Sequence, residues 1–138
     1  MPGSNMVKTY ATVIGVVLVA VGILGFIPNP IVSSQPGALF AVNAVHNLVH
    51  LVTGAAALVI AFAITDRLQQ ANALIAYGVV YALVLILTIV SPTLFGLFAD
   101  APVNVADHIL HLVLALGSIG VGWMARNEGA TMTAPRQG

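Results

Sequence analysis

Charged residues are scarce in this sequence. Its 138 residues include four Lys or Arg and four Asp or Glu, which is 6% of the chain, and the formal net charge at pH 7 is zero. A soluble domain has about 25% charged residues, so this chain has too few of them to cover a water-exposed surface. With 59% hydrophobic residues and a mean hydropathy of +1.04, the composition predicts a protein whose main solvent is lipid.

Other absences narrow the possible functions. The chain has no cysteine, which excludes disulfides and thiolate metal sites and leaves the redox compartment open. It has no run of basic residues, which argues against nucleic acid as a partner. It contains no phosphate loop, dinucleotide-binding fingerprint or nucleophile elbow. No enzymatic activity can therefore be assigned from a motif.

Four apolar segments follow one another, each near the roughly 20 residues that a helix needs to cross a bilayer. They span about residues 7–27, 43–65, 71–90 and 104–126. We predict an all-α membrane four-helix bundle that forms a single domain over 1–138. Residues 127–138 are polar and are expected to be a disordered cytoplasmic tail.

The chain also contains an internal repeat. The stretch Val42–Val52 recurs without a gap as Val103–Val113, and the two stretches together hold all four histidines. The pattern predicts two parallel helix–loop–helix copies, at about 7–65 and 71–126. Such copies are related by a pseudo-twofold axis along the membrane normal.

The few cations predict the orientation in the membrane. The predicted loops at 28–42 and 91–103 contain no Lys or Arg, so all four cations fall on the other side. Because Lys and Arg are enriched in cytoplasmic loops, both termini are expected in the cytoplasm and the histidines in the outer half of the bilayer. The four cations are Lys8, Arg67, Arg126 and Arg136.

The histidines have helical spacing. His46 and His50 are four residues apart, as are Asp107 and His111, so each pair shares one helix face. The repeat aligns His46 with Asp107 and His50 with His111. Polar groups within a membrane are expected to face the bundle interior, here between the second and fourth helices. The same polar cluster includes Asn43, Asn47 and Asn104.

In a first interpretation the cluster only joins helices. Asn104 would be an N-cap, and Asp107 would complete a start that resembles a capping box. His46 would form a hydrogen bond to Asp107, worth about 1 kcal/mol in a membrane. The protein would then be a non-enzymatic structural or interacting membrane component.

In a second interpretation the cluster binds a metal. His46, His50, Asp107 and His111 would be the ligands, with His108 as a further candidate. Paired ligands on facing helices resemble the metal sites of helical bundles. Three imidazoles and one carboxylate suit zinc, iron or copper.

A third interpretation is b-type haem held by His50 and His111. Small residues at Gly54, Gly117 and Gly120 would let the flat ring approach the helices. The absence of Lys and Arg from the two outer loops opposes it, because haem propionates would lack a partner there.

Other residues point to packing and partners. Small-residue faces predict contacts between helices, within the chain, with itself or with other membrane proteins. Three aromatic residues of the outer loops, Phe40, Phe95 and Phe98, are expected to dip into the lipid headgroups. The small-residue faces comprise Thr53, Ala57 and Ala61, then Ser118 and Gly122, and finally Gly15 and Gly22.

The repeated Asn-x6-His-Leu-Val element, at Asn43–Val52 and Asn104–Val113, is followed each time by a helix rich in small residues. In this it resembles a family of small bacterial four-helix membrane proteins, catalogued only as a domain of unknown function. The resemblance covers about 7–125 and implies a multi-pass protein of the bacterial cytoplasmic membrane. It implies no activity and no role for any single residue.

Overall fold

The computed structural model describes residues 2–133 and the side chains of 6–131. Each of its four helices contains a stretch that is long and apolar enough to cross a membrane. The predicted all-α four-helix membrane bundle is therefore confirmed. The helices are α1 (Pro2–Leu24), α2 (Ala44–Phe62), α3 (Arg67–Val90) and α4 (Val105–Thr133).

Two long connections lie at the same end of the bundle, which we call the loop end. Loop 1 is the segment 25–43 between α1 and α2, and loop 2 is the segment 91–104 between α3 and α4. Loop 1 contains two short parallel strands, β1 (Val32–Ser33) and β2 (Phe40–Ala41). The opposite end, which contains the short α2–α3 connection, is called the terminal end.

The internal repeat is visible in which side chains are buried. Most of the buried residues of α1 recur 63 positions later in α3, and most of those of α2 recur 61 positions later in α4, because each helix turns the same face inward. For α1 and α3 the equivalent buried pairs are Val7 with Gln70, Ala11 with Leu74, Ile14 with Tyr77 and Leu18 with Tyr81.

Small residues let the helices of each repeat approach closely. A Cβ added to Gly54 would lie 2.9 Å from the Gly15 carbonyl oxygen, and one added to Gly78 would lie 2.8 Å from the Ala115 oxygen. These contacts join α1 to α2 and α3 to α4 at equivalent heights. The small residues at these contacts are therefore used inside the bundle rather than offered to another chain.

Some helix ends differ from the predicted ones. α1 ends at Leu24, three residues before the predicted end at 27, and α3 begins at Arg67, where Asp66 caps it by accepting from the Gln69 backbone N–H at 2.8 Å. α4 continues to Thr133, so residues 127–133 are helical where the sequence predicts a disordered tail. No proline interrupts the chain there before Pro135. Residues 134–138 lie outside the described part.

Candidate metal centre

Two asparagines begin the helices that carry the histidines. The Asn43 side-chain oxygen accepts from the His46 backbone N–H at 2.9 Å, and that of Asn104 accepts from the Asp107 N–H at 3.1 Å. The Asp107 carboxylate accepts in return from the Asn104 N–H at 3.0 Å. The predicted N-cap and capping box at Asn104 are thus present, and Asn43 is the equivalent cap in the first repeat.

The same asparagines join the two repeats. The Asn43 amide nitrogen donates to the Leu97 carbonyl of loop 2 at 2.9 Å and to the Asp100 carboxylate at 2.7 Å. The Asn104 amide nitrogen donates to the Leu39 carbonyl of loop 1 at 3.0 Å. Each helix start is therefore attached to the loop of the other repeat, so the first turns of α2 and α4 face each other across the loop end.

Three histidines meet below these caps. His46, His50 and His111 each present a ring nitrogen, and these nitrogens all lie within 4.8 Å of one another. Each of the three side chains is 2% exposed. The ring centroids of His46 and His50 are 4.4 Å apart, and those of His46 and His111 are 6.1 Å apart. We call these residues the histidine triad.

Asp107, the fourth ligand of the predicted metal site, is not part of this group. Its Oδ2 accepts from the backbone N–H groups of Asn104 and Ala41, at 3.0 and 3.2 Å. The predicted hydrogen bond between His46 and Asp107 is replaced by a connection through the backbone of Ala41, whose carbonyl lies 3.2 Å from His46 Nδ1. The reason is local, because the capping bond draws the carboxylate towards the start of its own helix.

The hydrogen bonds of the triad show which ring nitrogens are free to bind a metal ion. A carbonyl oxygen only accepts, so Nδ1 of His46 has the proton and its Nε2 is available as a ligand. The Nδ1 atoms of His50 and His111 are buried without a hydrogen-bond partner among the described residues. A buried polar group without a partner costs about 1–3 kcal/mol. The triad therefore contains coordinating atoms that the protein itself does not satisfy.

Two other predicted residues, Asn47 and His108, are not part of the triad. A Cβ on Gly25 would overlap the Asn47 amide, so Asn47 lies against the end of α1. His108, its equivalent in the second repeat, is also outside the group of three. Asn47 Oδ1 and His108 Nε2 are buried and unpaired within the described chain. Neither residue contributes to the triad.

A cavity of about 140 Å³ borders the triad. Phe98 of loop 2 stacks on His46 with centroids 4.7 Å apart, and Tyr81 of α3 lies 5.9 Å from His111. Phe98 is 2% exposed, so the prediction that it dips into the headgroups is wrong. The remaining wall is formed by Val49, Thr53, Val80, Val84 and Leu94.

The sequence did not predict that Phe98 and Tyr81 would lie beside the triad. For Phe98 the sequence contains no signal, because its place depends on how loop 2 folds back. For Tyr81 a signal exists: the repeat aligns it with Leu18, so a hydroxyl replaces an aliphatic side chain at one of two equivalent buried positions.

The surroundings of the triad do not fit haem. The glycines expected to admit the ring do not border the cavity. Gly54 packs on α1, a Cβ on Gly117 would meet Tyr10, and Gly120 has open space beside it. A cavity of about 140 Å³ is also well below the roughly 300–1,000 Å³ of pockets for larger ligands. A single metal ion fits this space, whereas a macrocycle does not.

Comparisons with known proteins give a family. No match was found among curated proteins or among solved structures. Residues 8–124 match the model of a family described as a domain of unknown function, DUF4383. This agrees with the resemblance suggested by the repeated Asn-x6-His-Leu-Val element. The match covers most of the chain and both repeats, and the protein therefore belongs to the DUF4383 family.

Proposed function

We propose that this small membrane protein binds one transition-metal ion at the histidine triad, and that the ion is copper in its monovalent state. One observation carries the proposal. Three buried imidazoles from two helices bring their nitrogens within 4.8 Å of one another, and two of these rings have an unpaired Nδ1. Nitrogens that share one ion at about 2 Å lie within about 4 Å of each other, so small ring rotations would complete the site.

The unpaired nitrogens distinguish metal binding from a purely structural role. Histidines that only join helices are expected to form hydrogen bonds with each other or with the backbone. In the triad only His46 forms such a bond, to the Ala41 carbonyl. His50 and His111, the pair that the repeat makes equivalent, have none at Nδ1 in the described structure. A bound metal ion would provide the partner that the triad lacks.

Charge favours copper over zinc and iron. The three imidazoles are neutral ligands, and the cost of burying an ion rises steeply with its charge. The single negative charge of Asp107, which is separated from His46 by the backbone of Ala41, balances one positive charge. Imidazole nitrogen is a suitable ligand for copper. A divalent ion at this place would retain an unbalanced charge.

We also propose where the triad lies in the membrane. Lys8, Arg67 and Arg126 lie at the terminal end, and the described loops at the other end contain no Lys or Arg. By the positive-inside rule the terminal end faces the cytoplasm of a bacterial cell. The triad then lies in the outer half of the cytoplasmic membrane. Association with other membrane proteins stays a prediction.

Metal analysis tests this function. The full chain would be purified with an affinity tag that lacks histidine, and Cu(I) would be titrated against a chromophoric chelator. We expect one copper per chain. His50→Ala and His111→Ala should each weaken binding about 100-fold, equivalent to about 2.8 kcal/mol. His108→Ala is the matched control, because it removes a histidine of the same helix that lies outside the triad.

A clear result against the proposal is available. If the wild-type protein takes up no stoichiometric copper, or if His108→Ala weakens binding as much as His111→Ala, the triad is not a metal site. The histidines would then be structural, and the interpretation as a non-enzymatic membrane component would stand.

A further inference from the structure

The cavity beside the triad provides space for an external ligand of the proposed metal ion. We infer that the bound ion takes a small, uncharged, lipid-soluble molecule, no larger than benzene, as its external ligand. This inference rests on the proposed function, because the ligand requires the metal. Three properties of the cavity support the inference: its volume, its lining and the way the cavity opens.

The volume sets the size of the ligand. The cavity measures about 140 Å³, close to engineered apolar cavities of about 150 Å³ that stay dry and bind benzene or xenon. Three histidines form one wall of it. A molecule in this space therefore lies directly against the position that an ion would take between His46, His50 and His111.

The lining excludes charged ligands. No Lys, Arg, Asp or Glu borders the cavity among the described residues. Its two hydroxyl groups are already used: Tyr81 donates to the Thr53 hydroxyl at 2.8 Å, and Thr53 donates to the Val49 carbonyl at 2.8 Å. An anion that entered would lose its hydration without gaining a cationic side chain or a free hydroxyl donor in the wall. An uncharged molecule has no such cost.

The cavity faces lipid on one side and is covered on another. Val80 of α3 lines it and is also 52% exposed on the surface of the bundle. At the loop end the cover is Leu94 and Phe98 of loop 2. Leu94 and Phe95 have φ values of 45° and 55°, a left-handed conformation that non-glycine residues rarely adopt and that often marks a functional segment. Entry through the bilayer suits a lipid-soluble molecule.

Infrared spectroscopy of the copper-loaded protein tests the inference. The full chain would be loaded with one Cu(I) per molecule, and the stoichiometry measured first. Carbon monoxide is the uncharged probe and azide is the charged probe, and both have stretching bands that shift on binding to copper. We expect one bound carbon monoxide per copper. Azide at a hundredfold excess should show only its free band.

Two neighbouring valines give a matched pair of variants. Val80→Phe would fill the cavity from an exposed position, whereas Val79→Phe adds the same bulk on the same helix, at a side chain that is 46% exposed and does not line the cavity. We expect Val80→Phe to keep its copper but to bind carbon monoxide at least tenfold more weakly. Val79→Phe should bind it as the wild type does.

The outcomes separate the two proposals. A protein that takes up no copper overturns the proposed function and this inference with it. A protein that binds copper but no carbon monoxide, or binds azide equally well, overturns the inference alone. So does a Val80→Phe variant that binds carbon monoxide like the wild type. Copper stoichiometry also reports whether each variant is folded. The comparison of carbon monoxide with azide uses the wild-type protein and therefore does not depend on the folding of a variant.

Discussion

Asp107 and His46 occupy equivalent positions in the two repeats and both contact the backbone of one residue, Ala41. The Ala41 N–H donates to the Asp107 carboxylate at 3.2 Å, and the Ala41 carbonyl lies 3.2 Å from His46 Nδ1. The carboxylate therefore holds the backbone of Ala41, and the carbonyl of that residue in turn orients the imidazole. Carboxylates and carbonyls that support metal-bound histidines fix the ring tautomer and raise its basicity. Asp107 is thus a positioning residue for the triad.

Replacing this carboxylate should weaken copper binding while the fold is kept. In Asp107→Asn the side-chain oxygen still accepts from the Asn104 and Ala41 N–H groups, but the negative charge is lost. We expect copper affinity to fall about 10–100-fold, measured by the chelator titration. The control is Asp66→Asn, since Asp66 caps α3 at the terminal end. Wild-type affinity in Asp107→Asn would show that the Ala41 connection has no effect on the site.

The two capping asparagines should respond differently to the same change. Asn104→Asp keeps the cap but loses the donor to the Leu39 carbonyl, which should cost about 1 kcal/mol of unfolding free energy. Asn43→Asp loses its donor too, and it also places a carboxylate beside Asp100. The loss should therefore be larger, at about 2–3 kcal/mol. Unfolding in detergent and SDS mixtures measures both, and equal losses would contradict the contact with Asp100.

A buried glutamine should stabilise the terminal end. The Gln70 amide nitrogen donates to the carbonyls of Ile60, Ala61 and Ile64, near the end of α2. Gln70→Glu would place carboxylate oxygens, which accept hydrogen bonds, against these carbonyl oxygens, which also accept. We therefore expect a loss of about 1–3 kcal/mol in unfolding free energy.

The neighbouring glutamine is the control for this prediction. Gln69 is exposed, and Gln69→Glu should change the unfolding free energy by less than about 0.5 kcal/mol. Equal effects of the two substitutions would mean that the buried hydrogen bonds of Gln70 contribute nothing to stability.

Single cysteines can test the membrane orientation cleanly, because the chain has none of its own. Ser34 in loop 1 and Gln69 at the terminal end are both exposed. We expect Ser34→Cys to react with a membrane-impermeant thiol reagent in intact cells, and Gln69→Cys to react only after lysis. The reverse pattern would place the triad in the inner half of the membrane.

Most of the architecture could be predicted from local patterns. Apolar segments show the four helices because length and hydropathy are properties of consecutive residues. The helix ends were less predictable: Asp66 caps α3 five residues before the apolar segment begins, and α4 runs on beyond Arg126. Polar residues at such ends belong to the helix without belonging to the apolar pattern, so hydropathy alone does not locate them.

The site was only partly predictable. Helical spacing placed His46 with His50 on one face, and the repeat indicated that His111 would be opposite. Spacing could not show that Asp107 would turn to its own capping bonds, since both arrangements satisfy the same periodicity. Nor could it show that Phe98 folds inward to stack on His46.

The sequence by itself determined a lipid-embedded bundle of four helices, its two parallel repeats and the equivalence of His50 with His111. These follow from composition, hydropathy and repetition, which are properties of the chain read in order. Only the tertiary structure decided that His46 completes the triad and that Asp107 and His46 both contact the backbone of Ala41. It also decided that a cavity lies beside the triad. These features depend on distances between segments more than 40 residues apart, and such distances are set by packing.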